Sequence, residues 1–297
     1  MPIERAVSQH LGRPWKSDQL TDLADRSSHP AGIFEGSSFA VFAKLSHAPD
    51  ARRQFSAELN GLTVIRHRAR VLVPTPIGRG VIDLPAGAVM LLEASPERMT
   101  RTEWDWRAIG RTLAAIHLVR DDQFGLELFD GFFGPLPQNN TPASGGSWAD
   151  FFLERRLLPR LNGAIDSGHF PLEIAHDVER LAARVPLLVG PEPEPSLLHG
   201  DAQQNNFLSG PAGAVVIDAA PYFGHPELDL AMLDFFAPVP DTVFDGYREV
   251  LPIDPDFRRR RELWRIPAYL AVVEVGGGSV FSQGFLRRLA AALQAYR

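Results

Sequence analysis

Residues 206–219, NFLSGPAGAVVIDA, constrain the chain more than any other stretch. Phe207-Leu208 and Ala214 to Ile217 are short β-type runs, and the SGPAG between them carries turn residues, so the segment reads as a hairpin. Its surroundings are patterned for helices. Asn206 precedes the first strand and Asp218 follows the second, so closing the hairpin sets an amide beside a carboxylate. Just upstream stands His199-Gly200-Asp201, with four residues between Asp201 and Asn206.

The rest of the chain divides by texture. Ser37 to Leu45 alternates, with Phe39, Val41 and Ala43 on one face and Phe42 and Lys44 on the other. After Pro49-Asp50, Phe55, Leu59, Leu62 and Ile65 recur at helical spacing over residues 51–68. Two β-type runs follow, Val71 to Ile77 and Gly87 to Leu92, the second almost wholly apolar and ending at Glu93. Beyond Pro96 helical stripes dominate: Trp106, Ile109, Leu113 and Ile116, then Trp148, Phe151, Phe152, Arg155 and Leu158, opened by Ser147 and closed near Pro159. A further helix is expected over Pro171 to Val185, and three or four more from Pro226 onward. Gly131 to Gly146 is rich in Gly, Pro and Asn and too long for a simple connector. These patterns predict an α+β chain of two lobes. Residues 1–93 form a small β-rich lobe with one long helix, and residues 94–297 a larger, mainly helical lobe that contains the hairpin.

Composition narrows the function classes. With 297 residues, 45% of them hydrophobic, the chain can bury a core without disulfides or metals. Cysteine is absent, which removes disulfides, thiolate metal sites and a cysteine nucleophile together. A net charge of -6 argues against a general nucleic-acid or anionic-membrane binder, since both favour a positive field. The first twenty residues lack the apolar core of a signal peptide, and no uncharged apolar run approaches the roughly 18 residues of a membrane span. The expected location is the cytoplasm.

The ordered set His-x-Asp, four residues, Asn, hairpin, Asp has a chemical rationale in phosphoryl transfer. Asp201 is placed to orient an accepting hydroxyl and take its proton, so it is the expected catalytic residue. The amide oxygen of Asn206 and the carboxylate of Asp218 suit magnesium, a hard ion that prefers oxygen ligands. Upstream, Lys44 lies near a strand end and Glu58 falls fourteen residues later on a helix. A strand lysine that grips nucleotide phosphates and a helix glutamate that holds it are the matching parts. Leu92, Glu93 and Ala94 then fit the linker whose backbone pairs with adenine. The expected ATP-binding residues here are Lys44, Glu58, Leu92, Glu93 and Ala94, with magnesium on Asn206 and Asp218 and with His199 and Asp229 in support.

On these residues the chain resembles the fructosamine kinase family, within the protein-kinase-like fold shared with aminoglycoside phosphotransferases. Lys44, Glu58, His199-Gly200-Asp201, Asn206 and Asp218 match the motifs of the whole superfamily. Two stretches are more specific. Phe132 to Leu161 is similar to the family's own run of Gly, Pro-Gln-x-Asn, Trp and an Arg-Leu-Leu-Pro helix, and Ile217 to Leu233 carries Tyr222, Gly224, Glu227 and Asp229 in place. The resemblance runs from about Lys44 to Phe236, and more loosely to the C-terminus. It implies ATP- and magnesium-dependent phosphorylation of a sugar hydroxyl on ketoamines, formed on small amines or on protein lysines, as a repair of glycation.

Two segments depart from the family pattern. Where a glycine-rich phosphate loop is usual, the chain has Ser27-Ser28-His29-Pro30-Ala31-Gly32. One glycine and a proline make a poor backbone cradle, and the hydroxyls of Ser27 and Ser28 are the groups placed to substitute. The usual catalytic loop H-G-D-L-W-x-G-N here has Ala202, Gln203, Gln204 and Asn205 after the aspartate, so a large apolar wall beside the acceptor is gone. An aminoglycoside or other small-molecule kinase is the nearest alternative, and a non-catalytic nucleotide-binding protein the alternative of another class. His117 is read as packing against, or bonding to, the catalytic segment, Asp229 as a brace for the catalytic loop or a helix cap, and Arg258 to Arg261 as a solvated helix face.

Overall fold

The computed structural model describes residues 2–23, 29–98 and 100–297. Its N-terminal part is a five-stranded antiparallel sheet, with α1 (Pro2–Leu11) on one face and α2 (Ala51–Ala69) on the other. The strands are β1 (Gln19–Asp22), β2 (Ala31–Gly36), β3 (Phe39–Ser46), β4 (Pro76–Leu84) and β5 (Gly87–Glu93), in spatial order β1-β2-β3-β5-β4. The continuous apolar run of β5 is explained by cover on both faces. Val89 and Leu91 pack with Val41, Ala43 and Ile77 under Val7 of α1, while Ala88, Met90 and Leu92 pack with Phe55, Leu59 and Ile65 of α2. Strand alternation then settles where Lys44 points. Val41 and Ala43 face α1, so Lys44, in register with Met90, lies on the α2 side.

The C-terminal part is mainly helical. Helix α3 (Glu103–His117) opens with a capping box between Thr102 and Asp105. A short ribbon, β6 (Gly131–Phe133) with β7 (Leu136–Gln138), organises the start of the long loop. There follow α4 (Trp148–Phe151), a π-helical turn (Phe152–Leu157), α5 (Leu158–Asp166), α6 (Leu172–Ala182) and α7 (Val185–Leu188). Strand β8 (Ser196–Leu197) leads into the loop that carries His199 and Asp201, then the hairpin β9 (Phe207–Gly210) and β10 (Gly213–Val216). Strand β11 (Phe223–Gly224) pairs back with β8, and α8 (Pro226–Met232), α9 (Thr242–Arg248), α10 (Phe257–Gly276) and α11 (Val280–Gln294) complete the chain. Among the described residues no helix is long and apolar enough to cross a membrane.

Four expectations need correction. The small lobe has a second helix, α1, besides the long one. The β-type run at Val71 is not a strand; Leu72 makes an isolated bridge to Val215, and β4 starts at Pro76. Pro159 does not close the helix opened by Ser147, because the π turn shifts the register, Leu158 N–H bonding to Leu153 O, and places proline in the first turn of α5, where a missing N–H is harmless. Nor is Arg258 to Arg261 a uniformly solvated face. Arg260 is buried against Glu227, at 2.6 and 2.8 Å, and Arg261 pairs with Asp234.

Candidate active site

Helix α2 sends Gln54 and Glu58 to one side, one helical turn apart, and Gly61 continues that stripe. A Cβ at Gly61 would stand 2.6 Å from Ala219 O, so only glycine lets α2 approach the chain leaving the hairpin this closely. That approach assembles an ion cluster from three distant segments. Lys44 Nζ lies 3.0 Å from Glu58 Oε2 and 2.9 Å from Asp218 Oδ1. Burial disfavours the Lys44 ammonium, but the two carboxylates outweigh it and raise its affinity for a proton. Burial pushes the Glu58 carboxyl up, with Lys44 opposing. For Asp218 burial acts upward too, yet Lys44 holds it below the usual carboxylate range. The Asp218 backbone has φ of 51°, a left-handed conformation that side-chain-bearing residues rarely adopt, so local strain is concentrated at a residue of this cluster.

The loop after β8 carries the other half. Gly200 has φ of 83°, and a Cβ there would sit 2.0 Å from Ala220 O, which fixes glycine between His199 and Asp201. Asp229, fully buried on α8, accepts from His199 N at 2.6 Å and Gly200 N at 3.1 Å. It also bonds His117 Nε2 at 3.0 Å, whose Nδ1 lies 2.8 Å from the Tyr247 hydroxyl. Burial holds the His199 ring below the ordinary histidine range, and as a neutral ring its Nδ1 accepts from Asp201 N. Asn206 donates through Nδ2 to Asp201 O at 2.8 Å and to Oδ2 at 3.1 Å, which leaves its amide oxygen for another partner. Asp201 itself is pushed up to about 6, chiefly by burial and also by the charges of Asp218 and Asp229, against the bonds from Gln203 and Asn206. Its Oδ1 is buried and makes no hydrogen bond among the described residues.

Lys44, Glu58, Asp201 and Asp218 line a single cavity of about 70 Å³, with His29 and Gln54 beside them. Asn206 stands behind Asp201. Ser27 and Ser28 lie outside the described residues. In the linker, Glu93 N bonds Thr75 O at 2.7 Å and Ala94 N bonds Ala40 O at 3.0 Å, so these two donors are already engaged, and Leu92 is buried in the core. Two residues with roles here carried no motif. Gln203, at the position where the family pattern has tryptophan, donates to Asp201 Oδ2 at 3.1 Å. Arg101, at the start of the helical lobe, donates to Gln204 O at 3.0 Å and Phe207 O at 2.6 Å, on either side of Asn206. An isolated arginine between lobes has no pattern by which sequence could single it out; the glutamine was visible only as a departure.

The fructosamine kinase family profile matches residues 1–293. The chain belongs to the fructosamine kinase family. It is 36% identical to the probable ketoamine kinase YniA of Escherichia coli over 293 residues, covering 98% of this chain and 99% of that one. A crystal structure from Thermobifida fusca, described as a fructosamine-3-kinase, is 31% identical and superposes with a TM-score of 0.82 over 98% of both chains. A thermostable mutant of the aminoglycoside phosphotransferase APH(4)-Ia, solved with ADP and hygromycin B, matches at 16% identity with a TM-score of 0.63 over 99% of both chains, a likeness of fold alone. The protein is therefore a kinase with the two-lobed kinase-like fold. Its reaction is phosphoryl transfer to a ketoamine sugar, with ATP as cosubstrate.

Proposed function

We propose that Asp201 is the residue that receives the acceptor's hydroxyl proton, that Asn206 and Asp218 hold magnesium, and that Lys44, kept in place by Glu58, binds the nucleotide phosphates. The observation that carries this reading is the common cavity, which sets a buried cation, a carboxylate of lowered pKa and a carboxylate of raised pKa around one space. Magnesium usually takes only one or two carboxylates from a protein and the rest of its oxygens from phosphates and water. An amide oxygen and one carboxylate fit that habit, and they suit it better than a closed protein cage. When bound, the ion neutralises phosphate charge; the protein's own work is positioning. Lys44 is already desolvated and can exchange one carboxylate for a phosphate oxygen with little rearrangement. Asp201, short of one partner at Oδ1, has an acceptor position ready for a hydroxyl.

We place the boundary between nucleotide-binding and catalytic lobes after Glu93, with the backbone of Leu92 to Ala94 beside the adenine. The acceptor is a fructosamine-type ketoamine, on a small amine or on a protein lysine, and the site of action the cytoplasm, where ATP is plentiful. The test is ATP consumption with and without magnesium across ketoamines, free sugars and aminoglycosides. Turnover should appear on ketoamines and require the metal. Magnesium-ATP should stabilise the fold by about 2.7 kcal/mol at a hundredfold excess over its dissociation constant. Asp218→Ala should remove the magnesium-dependent part of that shift. Turnover confined to aminoglycosides, or a shift untouched by Asp218→Ala, overturns the reading.

A further inference from the structure

A second cavity, of about 30 Å³, borders the loop that carries Asp201, with Gly200 in its wall. Gln138 of β7 and Arg156 of the π turn also line it, and both are more than nine-tenths buried. Two of their donors, Gln138 Nε2 and Arg156 Nε, make no hydrogen bond among the described residues. The remaining bonds of Arg156 go to neutral groups: Asn139 O at 2.8 Å, Arg155 O at 3.0 Å, Asn140 Oδ1 at 2.7 Å and the Tyr222 hydroxyl. Its guanidinium lies 3.8 Å from the centre of the Tyr222 ring. Among the described residues Arg156 forms no ion pair, whereas the neighbouring Arg160 is neutralised by Glu274 at 3.1 Å.

Buried charges in proteins are paired, and buried donors are bonded, unless something else supplies the partner. Here one cavity collects an uncompensated cation and two unmade donor bonds, and its lining holds no carboxylate. The missing partner is an anion with oxygen acceptors. Room for a water begins at roughly 10–15 Å³ by this measure, so the space suits a small group such as a carboxylate and excludes a phosphorylated nucleotide. Access is past Phe133 and Pro267, the half-buried members of the lining.

Resting on the ketoamine kinase reading, we infer that this cavity is a carboxylate subsite, and that the preferred acceptors are ketoamines of free α-amino acids. Neighbouring residues wall the two cavities, Phe132 and Asp201 the first, Phe133 and Gly200 the second, so an acceptor with its hydroxyl at Asp201 has the second cavity beside it. In a ketoamine of an α-amino acid, the amine nitrogen and one carbon separate sugar from carboxylate. A ketoamine on a protein lysine has no carboxylate at that distance.

The experiment compares fructosylglycine with fructosylglycinamide, which differ only in the charge and one atom of the terminal group. A charge-assisted bond lost from a buried site should lower kcat/KM by about 10- to 100-fold for the amide. Gln138→Met removes a donor that bonds nothing in the free protein. It should leave the melting temperature unchanged or higher while the carboxylate-to-amide ratio falls toward one. Arg156→Lys, which keeps charge and loses the planar fork, should lower the ratio as well. Equal turnover of both acceptors by the wild type overturns the subsite and leaves the kinase reading standing. Turnover of neither, with ATP consumed on another sugar, overturns the ketoamine reading and this inference with it.

Discussion

The ion cluster at Lys44 and the frame around Asp229 both bury carboxylates, and they do so by opposite means. Glu58 and Asp218 are satisfied by one side-chain cation, 3.0 and 2.9 Å away. Asp229 is satisfied by two backbone N–H groups and a histidine ring, itself backed by Tyr247. A lysine can exchange partners when phosphate oxygens arrive, so the first arrangement is suited to a ligand that comes and goes. Backbone donors cannot leave, so the second is suited to holding a loop in one conformation. Preorganisation of this kind is where enzymes place groups that must already be aligned when charge develops. Asp201 lies where the two regions meet, braced by the frame, with its carboxyl raised chiefly by burial and in part by the charge of Asp218.

The largest effect should come from breaking that meeting point. Asp201→Asn keeps shape and removes the proton-accepting charge, and general-base contributions of about 10²–10⁴-fold set the expected fall in kcat. Magnesium-ATP affinity should change little, because the proposed metal ligands Asn206 and Asp218 are untouched. Stability should move the other way. The native carboxyl is pushed up to about 6, so above that pH the wild type carries a charge that folding disfavours and the variant does not. The variant should therefore melt at or above the wild type at pH 8, and its advantage should fade as the pH falls through 6 and the wild-type carboxyl takes up its proton. Turnover within threefold of wild type would sink the assignment of Asp201.

Next in size is the frame. Asp229→Ala strands two backbone donors and a histidine in a fully buried place, and removing one member of such a network typically costs about 3–5 kcal/mol. Chemical denaturation should show the loss directly. Turnover should fall beyond what the lower stability explains, since Gly200 and His199 lose what aligns them. A loss below about 1 kcal/mol, the scale of an ordinary hydrogen bond, would mean the loop is held by its flanking strands instead.

The ion cluster was the more legible of these two regions. Lys44 and Glu58 sit on elements whose periodicity is plain, and alternation along β3 already separates Lys44 from the face of Val41 and Ala43. The hairpin was legible because turn residues and apolar runs within it agree. What escaped was non-local. Arg260 lies in a run of four like charges that reads as solvated, and only the tertiary fold brings Glu227 to it, where Trp264 Nε1, one turn along the same helix, also donates to that carboxylate. Pro159 reads as a helix stop unless the π turn before it is known. Ile3, Val7 and Leu11 of α1 recur at helical spacing, so that helix is legible locally, though ten residues give a short signal beside the strand patterns that follow. Asp229 was legible as a brace or a cap, but its bond to His117 joins residues 112 apart, and no local pattern encodes that.

The smallest effect tests how far the frame extends. The Tyr247 hydroxyl meets His117 Nδ1 at 2.8 Å, while His117 Nε2 meets Asp229 at 3.0 Å. Because the carboxylate accepts, His117 carries a proton on Nε2, and the Tyr247 hydroxyl bonds the ring's other nitrogen. Burial also raises the phenol's affinity for its proton, which keeps Tyr247 a donor across the working range. Tyr247→Phe removes one neutral hydrogen bond and should cost about 1 kcal/mol, with a fall in Tm of about 2–4 °C. Asp229 would still accept from His199 and Gly200, so kcat should stay within about twofold, on the view that the backbone bonds carry the alignment. A tenfold loss of kcat with Tm intact would move the boundary of the frame outward, making the Tyr247–His117 pair part of what positions Asp201 and leaving the two backbone bonds insufficient alone.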